Sequence, residues 1–401
     1  MAFFRRKPAP PDDPSPAAPE QKQNSRRRKE PLVVLGLLLM LTALGTVDYF
    51  ATRAYHARED AYGRQFFAKG EAELQSGRPE PAIAALRVAL MYSRENPRYR
   101  LRLAEALTAA NHPNEARAYL EGLFEEEPGN GVVNLQLAHL AAQHGNVPDA
   151  IRYFHAAIYG FWAEEPGINR RQARLDLIDF LLRNKMNTQA QSELVALSAD
   201  LPNDVPLRLR VAGLFTRVPD YRSALGLYRS VLQLAPGNQN GAAGAGEAAF
   251  QLAQYGVAGH YLREAVVEDP KDARSDQLLS TVNLMSVLNP SRRGLTLRKR
   301  ATRTVSAFTQ AGDRLKQCAE VKGQSLSNLD STSDLEGLYK QWKQMSPGIT
   351  SARLRRQPEF IDAAMDLVFQ IEDQTSRQCG TPTGTDFALL LLSRRREDPE
   401  R

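Results

Sequence analysis

The chain has 401 residues, 42% of them apolar and 24% charged, which is long enough for more than one packed unit. Its formal charge of +6 is unevenly placed: residues 1–30 carry +4, residues 291–401 carry +5, and residues 31–290 carry −3. That distribution excludes a basic nucleic-acid groove along the middle of the chain, and two cysteines with no CxxC pair argue against thioredoxin-like chemistry and zinc knuckles.

Residues 1–30 are rich in proline and charge and almost lack large aliphatic side chains, the composition of a disordered tail. Residues 31–50 follow as an apolar run, LVVLGLLLMLTALGTV from Leu32 to Val47, closed by Asp48 and the aromatic pair Tyr49 and Phe50. With its flanks it approaches the ~20 residues that a helix needs to cross a bilayer core. Arg26, Arg27, Arg28 and Lys29 stand before the run, with Arg5, Arg6 and Lys7 further out, and only Arg53 and Arg58 follow closely. This asymmetry predicts a single-pass transmembrane helix in an inner membrane, with a cytoplasmic N-terminus and the rest of the chain outside the cytoplasm. A cleaved secretory signal ending near Ala43-Leu44-Gly45 is the alternative. Residues 51–62 read as a juxtamembrane linker.

From residue 63 a period governs the chain. Ala82, Ala116, Ala150, Ala190, Ala224 and Ala258 stand at steps of 34, 34, 40, 34 and 34. Four residues after each comes a large side chain: Leu86, Leu120, Phe154, Leu194, Tyr228 and Leu262. Pro202, Pro236 and Pro270 follow the last three alanines by twelve residues. A small residue lets two helix axes cross closely, and proline beyond the helix end lacks the amide that would extend the ladder. Each unit therefore predicts a pair of antiparallel helices that must stack on its neighbours, giving an α-solenoid over residues 63–290: about six pairs and a closing helix, Ala273 to Leu288. The step of 40 predicts a longer turn projecting around Tyr159-Gly160-Phe161-Trp162.

The spacing resembles the tetratricopeptide repeat family. The sixth unit carries Gly246 as the small residue of its first helix, then Tyr255, Ala258, Leu262, Ala265 and Pro270. The aromatic that normally opens the first helix is replaced by Arg100, Asn134, Arg174 and Arg208 in the middle units. The resemblance implies a concave face, lined by first helices, that binds an extended peptide or a partner helix. By register that lining is Phe67, Leu101, Leu135, Leu175, Leu209 and Ala243, with Glu71, Glu105, His139, Asp179, Gly213 and Glu247 one turn further along. An apolar row beside an acidic row suits an amphipathic partner, helical or extended, with some basic character. Family members that clamp a C-terminal carboxylate use lysine and asparagine at these two rows, and neither is present. The leucines could instead fill contacts between successive first helices, and the spacing leaves both uses open.

Past Asn289-Pro290 the period stops, and residues 291–401 belong to no family that their sequence suggests. Helices are predicted near 296–320, 332–345, 358–377 and 385–396, the last a buried or docking helix because its apolar run is too short to span a membrane. The arginines and lysine at 292, 293, 298, 299, 300 and 303 read as a solvated helix start. Cys318 and Cys379, both near predicted helix ends, form a disulfide if this region lies outside the cytoplasm, and are otherwise two buried thiols.

No HExxH, GxSxG or Gly-Lys-Ser/Thr phosphate loop occurs. Gly241 to Gly246 has no preceding strand, and Gly246 is taken by the repeat. His139, His144 and His155 share one repeat without a cysteine or carboxylate at ligand spacing, so neither a metal nor another cofactor is expected. The fold class is all-α. The expected function is that of a membrane-anchored, non-enzymatic adaptor binding a protein or peptide in a bacterial cell-envelope assembly, with no nucleic acid among its partners. The alternative is an array presenting an unrecognised C-terminal enzyme or ligand-binding domain.

Overall fold

The computed structural model describes residues 30–323, 326 and 334–397, and its side chains from Val34 to Arg394 within those limits. The basic tail expected over residues 1–30 thus lies, Glu30 apart, outside the described residues. Every described element is a helix, with one isolated backbone bridge between Asn130 and Phe161. The all-α expectation holds. Contacts divide the chain into two compact units that meet at Pro166 and Gly167.

The first unit holds α1 (Glu30–Gln75), α2 (Pro79–Tyr92), α3 (Pro97–Ala109), α4 (Pro113–Glu126), α5 (Gly131–Gln143) and α6 (Val147–Tyr159). Its opening helix runs 46 residues without a break. The apolar run, the expected linker at 51–62 and the first helix of the first repeat are therefore one rod, about 69 Å long at 1.5 Å per residue. Pro31 stands in the first turn, where its missing N–H costs nothing, no other proline follows up to Gln75, and the contacts of α1 within the fold are chiefly with α2. In the second unit stand α7 (Pro166–Arg183), α8 (Asn187–Ser198), α9 (Val205–Arg217), α10 (Tyr221–Leu234), α11 (Gln239–Gln251), α12 (Tyr255–Glu268) and α13 (Ala273–Leu288). They are followed by α14 (Leu297–Val321), α15 (Asp334–Met345), α16 (Ser351–Arg356), α17 (Glu359–Cys379) and α18 (Gly384–Glu397).

Within each unit the repeat logic is visible in the packing. The six spaced alanines are wholly buried, and Leu86, Leu120, Phe154, Leu194 and Leu262 behind them are at most 1% exposed. Burying each of these large side chains contributes roughly 1.5–3 kcal/mol. Glycine stands opposite where the approach is closest: a Cβ on Gly70 would come within 2.6 Å of Leu86 Cγ, and one on Gly246 within 2.7 Å of Leu262 Cγ. The run from Gly241 to Gly246 is interior to α11, as its role in the repeat requires.

Two further rows keep the period. First helices are capped by Asn96, Asn130, Asp204, Asn238 and Asp272, whose side-chain oxygens accept backbone N–H groups of the first turn. The polar residues that stand in place of the family aromatic bind the end of a second helix instead, that of their own pair for Arg100 and that of the preceding pair for Asn134 and Arg208. Arg100 forks onto Glu126 at 2.7 and 2.8 Å. Buried Asn134 donates to the carbonyls of Pro128 and Asn130, each at 2.8 Å. Arg208 donates to Pro202 O at 2.8 Å and Leu201 O at 3.0 Å. An aromatic wedge has thus been exchanged for an ion pair at Arg100 and for hydrogen bonds to main-chain carbonyls at Asn134 and Arg208.

The insertion at 159–165 does not simply project. Phe161 N donates to Gly129 O and Gly131 N to Phe161 O, both at 2.8 Å, which folds the segment back onto the start of α5. Trp162 is 7% exposed and lies on Gly131, where any Cβ would strike the indole, and its Nε1 donates to Ala157 O at 2.9 Å. An indole with a satisfied N–H gains more from burial than a projecting loop would. Tyr159 and Phe161 remain turned outward, 74% and 70% exposed.

The described tail helices fall where the sequence places them, joined by the short α16. Helix α18 is a packed helix: Ala388, Leu389 and Leu390 are wholly buried, and it rests on α13 and α17. Because α18 reaches the closing helix of the repeats, no division between units occurs at residue 290. Cys318, at the end of α14, and Cys379, at the end of α17, stand in a disulfide with their Cα atoms 5.8 Å apart.

Candidate partner-binding face

The row expected to line a binding face divides in two. Phe67 is 6% exposed, stacks on Tyr99 at 4.5 Å between centroids and is covered by the Arg98 guanidinium; Leu175 is 2% exposed. These two are core residues, which corrects their assignment to an open groove. Leu101, Leu135, Leu209 and Ala243 are half-buried and stay at the surface of α3, α5, α9 and α11.

The neighbouring acidic row does not stand free. Glu71 accepts from Arg102 Nε at 3.1 Å, Glu105 from Gln136 Nε2 at 3.4 Å, and Asp179 from Arg210 Nη2 at 3.0 Å. Each partner lies 31 residues further on, in the first helix of the next repeat. Glu105 is also held by Arg102 at 2.6 Å, and Glu247 by Arg274 at 2.8 Å. The acids form rungs between successive first helices, and their charge is largely spent. The expected preference for a basic partner is corrected accordingly, because a paired, half-exposed carboxylate offers little net field. His139 is half-buried with its ring edge-on to Phe154 at 5.6 Å, and among the described residues no cluster of His, Cys, Asp or Glu is placed to hold a metal ion.

One recess opens on this face. It has a volume of about 410 Å³ and lies among α9, α11 and α13, with Leu209, Ala243, Gly244, Arg210, Arg274 and the Tyr228 ring among its walls. Tyr228 comes from the second helix α10, where the other repeats carry leucine or phenylalanine, so sequence reasoning filed it as core. Its ring is indeed buried, 8% exposed, and burial followed by the nearby Glu247 carboxylate raises the phenol pKa, so the hydroxyl stays protonated.

The helix pairs share an alanine crossing, a capped first helix and a 34-residue step, and the profile of the tetratricopeptide repeat family matches residues 73–124 and 107–161. Residues 73–161 are tetratricopeptide repeats. Among solved tetratricopeptide structures it is similar to Pseudomonas aeruginosa PilF, with 17% identity over 54% of this chain and 96% of that one, TM-score 0.38. It is also similar to the C-terminal part of a repeat protein from Cytophaga hutchinsonii, with 15% identity over 59% and 92%, TM-score 0.43. YrrB, a repeat protein with an unusual peptide-binding site, is 16% identical over 48% and 95%, TM-score 0.37. A search among curated proteins finds no match.

Proposed function

We propose that this tetratricopeptide repeat protein is a membrane-anchored, non-catalytic scaffold that holds a protein partner on the first-helix face of its repeats. The observation that carries the reading is half-buried apolar residues beside polar rungs that are already satisfied, Leu101 and Leu135 in the first unit and Leu209 and Ala243 in the second. Such a surface offers apolar area at low desolvation cost, because the charges next to it need no new partner. The assembly we favour is a bacterial cell envelope. A photo-crosslinking amino acid at Leu101 or Leu209 is expected to trap a partner protein in living cells, whereas one at Val267, 77% exposed on the second helix α12, is not. Trapping that is equal at all three positions rejects the first-helix face as the docking surface.

The anchor reading rests on α1. From Val34 to Phe50 its large apolar side chains are more than half exposed on every side of the helix, a state that water disfavours and a lipid core accepts. With Arg26 to Lys29 before it, this orientation places the repeats outside the cytoplasm at an inner membrane. Protease added to intact spheroplasts is then expected to degrade the repeats. Survival of the repeats until lysis reverses the orientation. The tail has a recess of about 610 Å³ lined by Asn289, Arg293, Asp362 and Phe369, and the buried Glu372 is not among its lining residues.

A further inference from the structure

The rungs between successive first helices follow a rule, and at one place the rule is broken on both sides. An acid or its substitute in one first helix reaches a basic or amide side chain 31 residues further on, as in Glu71 with Arg102, Glu105 with Gln136 and Asp179 with Arg210. Taking the same step from Gly213 leads to Gly244. Both members of that rung are glycine, so neither helix sends a side chain across the gap.

The space is used from below. In the other repeats the residue four positions after the spaced alanine is Leu86, Leu120, Phe154, Leu194 or Leu262, which end in carbon inside the core. Here it is Tyr228, which is long enough to pass between the two first helices. A Cβ on Gly244 would collide with the Tyr228 ring, so glycine at 244 is what lets the ring through. Gly213 leaves open the room above the hydroxyl: a Cβ there would lie 3.9 Å from Tyr228 Oη, at ordinary contact distance. Two glycines and one tyrosine therefore convert a closed rung into the 410 Å³ recess, with a phenol at its floor that no described side chain hydrogen-bonds.

The surrounding polar groups select the chemistry of an occupant. The acceptors are spent: Asp272 caps α13 through Arg274 N and Ser275 N and takes Gln239 Nε2 at 3.1 Å, and Glu247 is neutralised by Arg274 at 2.8 Å. The donors are not. Arg210 gives a single bond to Asp179 and Arg274 a single side-chain bond to Glu247, leaving most of the five N–H groups of each guanidinium unused, and both line the recess with the Tyr228 hydroxyl. A site with unused N–H groups on two guanidiniums, whose charges Asp179 and Glu247 balance, and a neutral phenol donor, walled by Leu209, Ala243 and Leu278, offers converging hydrogen-bond donors to an oxygen pair on a short apolar stem.

We propose that the Gly213–Gly244 gap is a specificity pocket that takes the carboxylate side chain of an aspartate or glutamate in the docked partner, replacing the missing rung with one supplied by the ligand. The proposal rests on the scaffold reading and deepens it by naming what one position of the partner must carry. Tyr228 donates to one carboxylate oxygen, Arg210 and Arg274 hold the other from the flanks, and the Leu101 and Leu135 row takes no part in the choice.

The test uses the full chain, immobilised in detergent micelles, and amidated peptide pools that are degenerate at every position except one central residue. The pool with glutamate fixed is expected to be retained about tenfold above the pool with glutamine fixed, as for a charge-assisted set of hydrogen bonds against a neutral one. Tyr228→Phe keeps the ring and the fold, and is expected to cut the glutamate preference about fivefold or more, the loss of one hydrogen bond to a charged group. Gly213→Glu places a carboxylate in the pocket from the protein's own helix, where glutamate is a better helix former than glycine, and is expected to abolish the preference with no loss of thermal stability. Equal retention of the glutamate and glutamine pools overturns the proposal, as does a preference that survives both substitutions. A third pool, with alanine fixed and a free C-terminus, separates the sources of the carboxylate: retention of that pool above the amidated glutamate pool overturns the side-chain assignment in favour of a chain terminus. If crosslinks at Leu101 trap a partner while no glutamate preference is found, this pocket fails and the scaffold stands. If the preference is found while no partner is trapped, the reverse holds.

Discussion

Raising the pH from 5 to 8 is expected to destabilise the second unit by about 3 kcal/mol, and Glu372→Gln is expected to remove most of that dependence. Glu372 lies in α17 with none of its surface exposed, and neither carboxyl oxygen has a hydrogen-bond partner. Burial, aided by the Asp386 carboxylate of α18 and only partly opposed by Arg314 of α14, pushes its pKa from 4.5 to about 8. Asp386 is raised as well, by burial first, against the hydrogen bond from Gln310 and the charge of Arg314. The folded unit therefore holds a proton on Glu372 over a range in which the unfolded chain has lost it. Stability from this group is fully present below about pH 4.5 and disappears as the pH rises through about 8. A full shift of this size would set a ceiling near 5 kcal/mol at 1.36 kcal/mol per pKa unit, and relaxation around a buried charge lowers it. Glutamine keeps the shape without the ionisation, so the variant is expected to melt higher than the parent at pH 8 and near it at pH 5. Thermal melts at the two pH values decide the matter: a parent protein that gains stability toward pH 8 contradicts a neutral buried Glu372, and an unchanged slope in the variant assigns the effect to other groups.

Replacing Cys318 and Cys379 together by serine is expected to lower the stability of the same unit by about 3–5 kcal/mol, the range for loss of a native bridge across a loop of this length. The two cysteines are 61 residues apart, and they tie the ends of α14 and α17, which pack on each other and each carry wholly buried side chains, Leu315 on the first and Val368 and Ile371 on the second. Packing alone could hold these helices together, so the bridge acts mainly by restricting the unfolded chain. We propose that the pairing exists in the native protein, as an exported region would allow. Maleimide is then expected to leave both thiols unlabelled in protein purified without reductant, and to label both after reduction and unfolding. Labelling of the native, unreduced protein removes the disulfide and with it the stability loss assigned to the double variant.

Much of the fold is legible in the sequence because a solenoid writes its contacts as a period. The alanine at each crossing and the large residue four positions later answer to the first helix of their own pair, and the terminal proline ends the second, so the same local demand recurs at 34 residues and survives divergence elsewhere. The cap row at Asn96, Asn130, Asp204, Asn238 and Asp272 obeys the same period and was available to the same reading. The candidate face was less legible. Register identifies which positions lie on the first helices, yet it assigns Phe67 and Leu175 the same role as Leu101 and Leu209, although neighbours bury the first pair and spare the second. Nor does it show that the acids beside them are already paired, since an acid and its arginine 31 residues away are each ordinary surface residues when read singly.

The amino-acid sequence by itself determined the all-α class, the repeat and its period, and the positions of the helices, because those depend on side-chain size, helix capping and apolar spacing along the chain. Only the tertiary structure decided that α1 runs unbroken into the first repeat, that the Trp162 insertion folds back onto Gly131, and that Tyr228 rises between Gly213 and Gly244 to make a recess. The reason is the same in each case: these features arise from volume left empty or filled between elements distant in sequence, and a glycine announces its missing side chain only when something else is seen to occupy the space.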